Sequence, residues 1–90
     1  MNKLKKVNIL GIDIDVKEID RFSRGDSQMG SADVKELLIC IDKSMSPDNK
    51  KLTLLHEMIH IISDLCDAEL TENQVSTVAI GLLPFFSIEL

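Results

Sequence analysis

The chain has 90 residues, a formal net charge of −5, and 44% hydrophobic and 28% charged residues. This length allows one domain, residues 1–90, with a single modest core. The composition is typical of a folded protein rather than a disordered segment. The negative charge argues against direct nucleic-acid binding, because binders of a phosphate backbone need clustered Lys and Arg. No uninterrupted apolar segment precedes Asp13, so we expect no signal peptide, no membrane span and a cytoplasmic location.

Two cysteines, Cys40 and Cys66, lie in apolar stretches and do not form a CxxC pair. Without a framework of cysteine spacings, this usage favours reduced thiols over disulfides. We therefore predict that both are core thiols of a cytosolic protein.

The first half of the chain predicts strands. From residue 5 to residue 20 apolar residues alternate with polar ones, and Gly11 between the two runs predicts a hairpin turn or a bulge. The lysines at the start of this segment are expected to keep an edge strand soluble. Arg21–Gly30 is rich in Gly, Ser and Asp and is predicted as a loop. The continuous apolar run in Glu36–Asp42 predicts a third strand at a central position.

The second half predicts two helices. Ser46, followed by Pro, has the features of an N-cap, and the helix is expected to run to about Cys66. Thr71 and Gln74 have the spacing of a capping box for a second helix, which Pro84 is expected to bend or end. The predicted fold is α+β, a small three-stranded antiparallel sheet followed by two packed helices.

Both histidines of the chain lie in the stretch LLHEMIHII, residues 54–62. On a helical wheel the Leu, Ile, Met and Cys side chains of residues 52–66 share one half of the helix. The other half collects Thr53, His56, Glu57, His60, Ser63 and Asp64. We therefore predict that the first helix buries its apolar half and presents the HExxH residues on a polar stripe.

The spacing of His56 and His60 places two imidazoles one helical turn apart, where both can reach one tetrahedral Zn²⁺ at about 2.0–2.1 Å. Glu57 is rotated away from this pair. It is predicted as a general base that takes a proton from the attacking water and passes it to the leaving amine. The alternative is a chance match with solvated histidines. We favour the metal site, because the pattern lies on a predicted helix and holds every histidine.

Catalytic zinc sites take three protein ligands and keep one open position. The candidates for the third ligand are Asp64, Asp67, Glu69 and Glu72. Glu72 begins the second helix, which a short connection would bring beside the first, although the helix dipole favours an acidic residue there without any metal. Asp64 lies one turn beyond the histidines and could instead hydrogen-bond an imidazole. Asp67 and Glu69 could be solvated charges of the connection.

The segments LTLLHEMIHIISD and TENQVSTVAIGLLPFF resemble the ImmA/IrrE metallopeptidase family, in particular small zinc peptidase-like proteins of phages and mobile elements. The upstream segments VNILGIDIDVKEID and GSADVKELLICID are similar to strands of that group, so the resemblance covers most of the chain. Only HExxH is sharply specific. The resemblance implies a zincin-like fold with zinc held by His56, His60 and Glu72, Glu57 as general base, and a repressor-type regulatory protein as substrate.

Longer members of that family carry a separate sensing or DNA-binding domain, which we do not expect in these 90 residues. The chain also has no His or Tyr outside the motif to stabilise an oxyanion. Arg21 and Arg24 are its only guanidinium groups, and we favour their interpretation as surface charges. An extended substrate along a sheet edge would be bordered by the loop Arg21–Gly30 and by Ser31–Asp33, unless that loop is only a connection.

Two main hypotheses follow from the sequence. The first is a zinc-dependent endopeptidase that cleaves a regulatory protein. The second is a catalytically silent zinc-binding module that sequesters such a partner. A third is a small toxin- or antitoxin-like protein with a fortuitous motif. A base beside the metal favours the first hypothesis, because a purely structural zinc site has no use for Glu57.

Overall fold

The computed structural model describes residues 4–20 and 30–88. The strands are β1 (Leu4–Ile9), β2 (Ile12–Ile19), β3 (Gly30–Asp33) and β4 (Leu38–Asp42), and the helices are α1 (Pro47–Leu65) and α2 (Glu72–Leu82). A 3₁₀ turn, Leu83–Phe85, follows α2. The fold is therefore α+β, as predicted. Arg21, Arg24 and all of the predicted loop except Gly30 lie outside the described residues.

The four strands form one mixed sheet in the order β1-β2-β4-β3. β1 pairs with β2 and β3 pairs with β4 in antiparallel register, whereas β2 and β4 are parallel. The sheet therefore differs from the predicted three-stranded antiparallel one. The chain reaches the far edge of the sheet to form β3, and β4 then returns between β3 and β2. β1 is an edge strand and β4 an interior strand, as the sequence predicted.

The β1–β2 hairpin turns at Leu10 and Gly11, whose φ angles are 53° and 85°. Two consecutive residues in the left-handed region are what a two-residue hairpin turn with the twist of the flanking strands requires. The Gly11 N–H donates to Asn8 Oδ1 at 3.0 Å. The turn predicted at Gly11 is confirmed.

Both predicted helix starts are confirmed. The Ser46 hydroxyl accepts from the Asn49 N–H at 3.3 Å at the start of α1. At α2 the Thr71 hydroxyl accepts from the Gln74 N–H at 3.1 Å, and the Gln74 side chain accepts from the Thr71 N–H at 2.9 Å. Pro84 lies in the 3₁₀ turn just after α2, as expected of a residue that ends a helix. Neither helix in the described part of the chain combines the length and the apolar character of a membrane span.

The core lies between the sheet and the two helices. One buried cluster joins the inward faces of the strands to α1: Val7, Ile9, Ile14, Val16, Ile39, Ile41, Leu54 and Ile61. A second joins α1 to α2: Leu55, Ile59, Val75 and Ala79. Helix α1 is thus buried on two sides, and its remaining side carries the histidines.

Three predicted positions on α1 or at its C-cap are corrected. Ser63, assigned to the polar half, is buried, whereas Ile62 and Cys66, assigned to the apolar half, are exposed. The chain after α1 folds back over Ser63, whose carbonyl accepts from the Ala68 N–H at 2.9 Å. A helical wheel describes an isolated helix, so it takes no account of the segment that covers Ser63. Both cysteines are free thiols. Cys40 is only half-buried and Cys66 is exposed, so neither is a core residue.

One charged pair is buried where α1 begins on the sheet. Glu18 faces inward from β2, and its Oε1 lies 2.6 Å from Lys50 Nζ. The side chains of Glu18 and Lys50 are 5% and 18% exposed. The pair fixes the first turn of α1 against the end of β2.

Candidate metal centre

Two helices bring three potential ligands to one point. α1 presents His56 and His60 one turn apart, and Glu72 is the first residue of α2. Glu72 Oε1 lies 2.7 Å from His56 Nε2 and 2.9 Å from His60 Nε2. The two Nε2 atoms are 3.2 Å apart. Both imidazoles therefore direct the same ring nitrogen at one carboxylate.

These distances and donor types fit a zinc ion. Two ligands at 2.0–2.1 Å from a tetrahedral centre lie about 3.3 Å apart, close to the separations of the three donor atoms. Each of His56, His60 and Glu72 offers a ligand atom, and these atoms all lie within 4.8 Å of one another. Two imidazoles and one carboxylate are also a donor set that catalytic zinc sites use.

The electrostatics of the cluster keep Glu72 ionised. Hydrogen bonds from His60 and from His56 hold the pKa of the Glu72 carboxyl below its usual range. The Glu72 side chain is 66% exposed, whereas those of His56 and His60 are 23% and 30% exposed. The cluster therefore opens to solvent on its carboxylate side, and its anionic form is the one that binds a cation.

The cluster lies in an open cleft of about 620 Å³ between α1 and β3. The residues lining it are Gly30, Ser31, Ala32, Leu52, Thr53, His56, Glu57, His60, Asp64 and Glu72. Glu57 thus faces the same cleft as the histidines but is not part of the three-residue cluster. His56, Glu57 and His60 of the HExxH motif therefore all line one open cleft.

The structure distinguishes among the acidic candidates for the third ligand. Asp64 lines the cleft but makes no hydrogen bond to either imidazole within residues 4–20 and 30–88. Asp67 and Glu69 are exposed residues of the connection and, in the described chain, belong to no group of potential metal ligands. Glu72 alone among these four carboxylates contacts the histidine pair.

Gly30 lines the cleft, at the end of the segment that the sequence placed along it, but its close contact with α1 was not predicted. A Cβ at Gly30 would lie 2.6 Å from Thr53 Cγ2 and 3.2 Å from Glu57 Oε2. Only glycine therefore allows β3 to approach α1 this closely beside Glu57. The available signal was a glycine followed by small residues, which is typical of a close backbone approach.

Comparisons of the chain with protein-family models, with curated proteins and with solved structures find no match. The relation to the ImmA/IrrE family therefore rests on the residue pattern and stays a prediction.

Proposed function

We propose that this chain is a zinc-dependent metallopeptidase-like protein that acts as an endopeptidase. In this proposal His56, His60 and Glu72 hold the zinc ion and Glu57 is the general base. The observation that carries it is the convergence of three ligand atoms, from two helices, in a cleft that Glu57 also lines.

The chemistry assigned to the residues follows from their positions. Zinc, when bound, supplies Lewis acidity, which makes water easier to deprotonate and a peptide carbonyl easier to attack. Glu57 is rotated by about 100° from His56 on the helix. Its carboxylate is therefore assigned to proton transfer at the reacting atoms rather than to binding the ion. It accepts one proton from the attacking water as the hydroxyl bonds to the carbonyl carbon, and it delivers that proton to the leaving nitrogen as the C–N bond breaks.

The cleft favours an extended peptide as substrate. β3 is an edge strand of the described sheet, and three of its residues line the cleft beside Glu57. A peptide could add to this edge as a further strand and pass the catalytic residues. From the resemblance we propose a repressor-type regulatory protein of a phage or mobile element as the substrate, in the cytoplasm.

None of the described residues that line the cleft is Arg, Lys or Tyr. A zinc ion held by His56, His60 and Glu72 would supply positive charge that stabilises a developing oxyanion.

The first test measures metal content. We expect near-stoichiometric zinc in wild-type protein and in Glu57→Gln, and loss of zinc in His56→Ala. Absence of zinc from the wild type after attempted reconstitution would rule out the proposal. Glu36→Gln, at an exposed glutamate away from the cleft, is the matched control.

The second test separates an enzyme from a binding module. Zinc-loaded wild type, Glu57→Gln and Glu36→Gln are incubated with a proteome-derived peptide library, and new amino termini are identified by mass spectrometry. Cleavage by wild type and Glu36→Gln, but not by Glu57→Gln, is the expected result. Full zinc occupancy without any cleavage would favour the silent module that sequesters a partner.

A further inference from the structure

Ser63 is a buried polar residue on α1, seven positions after His56, and its hydroxyl accepts from the backbone of the connection to α2. Its side chain and its backbone both hold the connection between the two helices. Ser63 Oγ accepts from the Leu70 N–H at 3.0 Å, and the Ser63 carbonyl accepts from the Ala68 N–H at 2.9 Å. Only 4% of the Ser63 surface is exposed, so water does not readily replace the two hydrogen bonds that Ser63 accepts from the connection.

The connection needs such support, because two of its residues have unfavourable backbone conformations. Asp67 and Glu69 have φ angles of 52° and 53°, in the left-handed region that non-glycine residues rarely adopt. Leu70, the residue that Ser63 Oγ holds, is followed directly by the N-cap Thr71 and then by Glu72. The place of the Glu72 backbone is therefore set by Ser63 on one side and by the capping box on the other.

We propose that Ser63 is a positioning residue for the third zinc ligand. By holding Leu70 it fixes the start of α2, so that the Glu72 carboxylate is already beside the histidines before zinc binds. Preorganised ligands lose less conformational freedom when they bind a metal ion. Substitution of a residue that orients a ligand typically lowers metal affinity by about 10–100-fold. This inference rests on the proposed function, since it requires zinc at His56, His60 and Glu72.

The test is zinc affinity, measured by competition with a chromophoric chelator at fixed pH. We expect Ser63→Ala to weaken zinc binding about tenfold. Ser63→Cys, whose thiol is a weaker acceptor of similar size, should give an intermediate loss, and it replaces Ser63→Ala if that variant does not fold. Ser76→Ala on α2 and Ile61→Val in the core of α1 are controls for serine loss and for general destabilisation. Both should bind zinc as wild type does.

A double-mutant cycle distinguishes positioning from a general structural role. Because Ser63 acts through Glu72, the loss caused by Glu72→Gln should be smaller in the Ser63→Ala background than in wild type. Additive losses, or unchanged affinity in Ser63→Ala, would overturn the inference while leaving the zinc site intact. Failure of the wild type to bind zinc would instead overturn the proposed function together with the inference.

Discussion

Glu18 and Glu72 each contact basic nitrogens, but in different surroundings. Glu18 meets a single ammonium group, that of Lys50, inside the domain, and its side chain is 5% exposed. Glu72 meets two imidazoles at the rim of a cleft, and its side chain is 66% exposed. In the first contact the carboxylate of Glu18 is paired with the ammonium group of Lys50. The second gathers three potential ligands at one open point.

This difference separates a structural contact from a candidate functional one. Lys50 binds Glu18 Oε1, whereas the buried Oε2 has no hydrogen-bond partner among the described residues, so the loss of either charge is felt in stability. Two imidazoles around an exposed carboxylate contribute little to stability, yet they place donor atoms where a cation could reach them. Substitutions in the two regions should therefore affect different measurements.

The largest expected effect on stability is at Lys50. Lys50→Met leaves the Glu18 carboxylate buried and without its cation, so we expect the free energy of unfolding to fall by about 3 kcal/mol. Urea denaturation of the zinc-free protein measures this change. Zinc content of the folded variant should stay that of wild type.

The control for this substitution is the double variant Glu18→Met/Lys50→Met. Replacing a buried ion pair by apolar side chains of similar volume is often neutral, so most of the lost stability should return. A double variant as unstable as Lys50→Met would show that the ion pair is not the cause.

A smaller effect is expected in the wall of the cleft. Gly30→Ala places a Cβ 2.6 Å from Thr53 Cγ2, so we expect a loss of about 2 kcal/mol from overpacking. Thr53→Ser removes that methyl group and should restore part of the loss in the double variant. Gly81→Ala is the matched control, because nothing lies within 4 Å of its added Cβ and alanine favours a helix. Equal stability of Gly30→Ala and wild type would contradict the close approach of β3 to α1.

The connection between the helices should tolerate glycine. Asp67→Gly and Glu69→Gly each relieve a left-handed backbone, although glycine also adds freedom to the unfolded chain. We expect a net gain of about 0.5 kcal/mol or less in unfolding free energy, and unchanged zinc content, since neither carboxylate is proposed as a ligand. Loss of zinc in either variant would indicate that the substituted residue is a zinc ligand after all.

The smallest effect concerns pH. The pKa of Glu72 is lowered by hydrogen bonds from His60 and His56, so its ionised form favours the folded state. This contribution is present above the ordinary carboxyl pKa of about 4.3 and is lost as the pH falls through the lowered value in the folded protein. Its size is small, because Glu72 is mostly exposed. In an NMR titration of zinc-free protein, His60→Ala should raise the pKa of Glu72 towards its ordinary value.

Local features of this fold were predictable from sequence. The hairpin turn at Gly11, the N-cap Ser46 and the capping box of Thr71 each depend on a few neighbouring residues whose chemistry allows few alternatives. The HExxH residues were predictable for the same reason, since the spacing of His56 and His60 is fixed by the helix itself.

The remaining features depend on contacts between distant parts of the chain. β3 has no alternation of apolar residues, and neither its pairing with β4 nor the parallel pairing of β2 with β4 follows from periodicity. Ser63 was assigned to solvent because the segment that covers it lies beyond the helix. Four carboxylates remained candidates for the third ligand until the return angle of α2 placed Glu72 against the histidines.

The most direct test of the central claim is zinc X-ray absorption spectroscopy of protein loaded with one equivalent of the metal. The proposal predicts nitrogen and oxygen ligands at about 2.0–2.1 Å, with the outer scattering of two imidazoles and no sulfur. Glu72→Gln should alter the oxygen contribution and weaken binding, while the imidazole scattering remains. Sulfur at about 2.3 Å, which would indicate a site at Cys40 or Cys66, or one imidazole or none, would contradict a centre built from His56, His60 and Glu72.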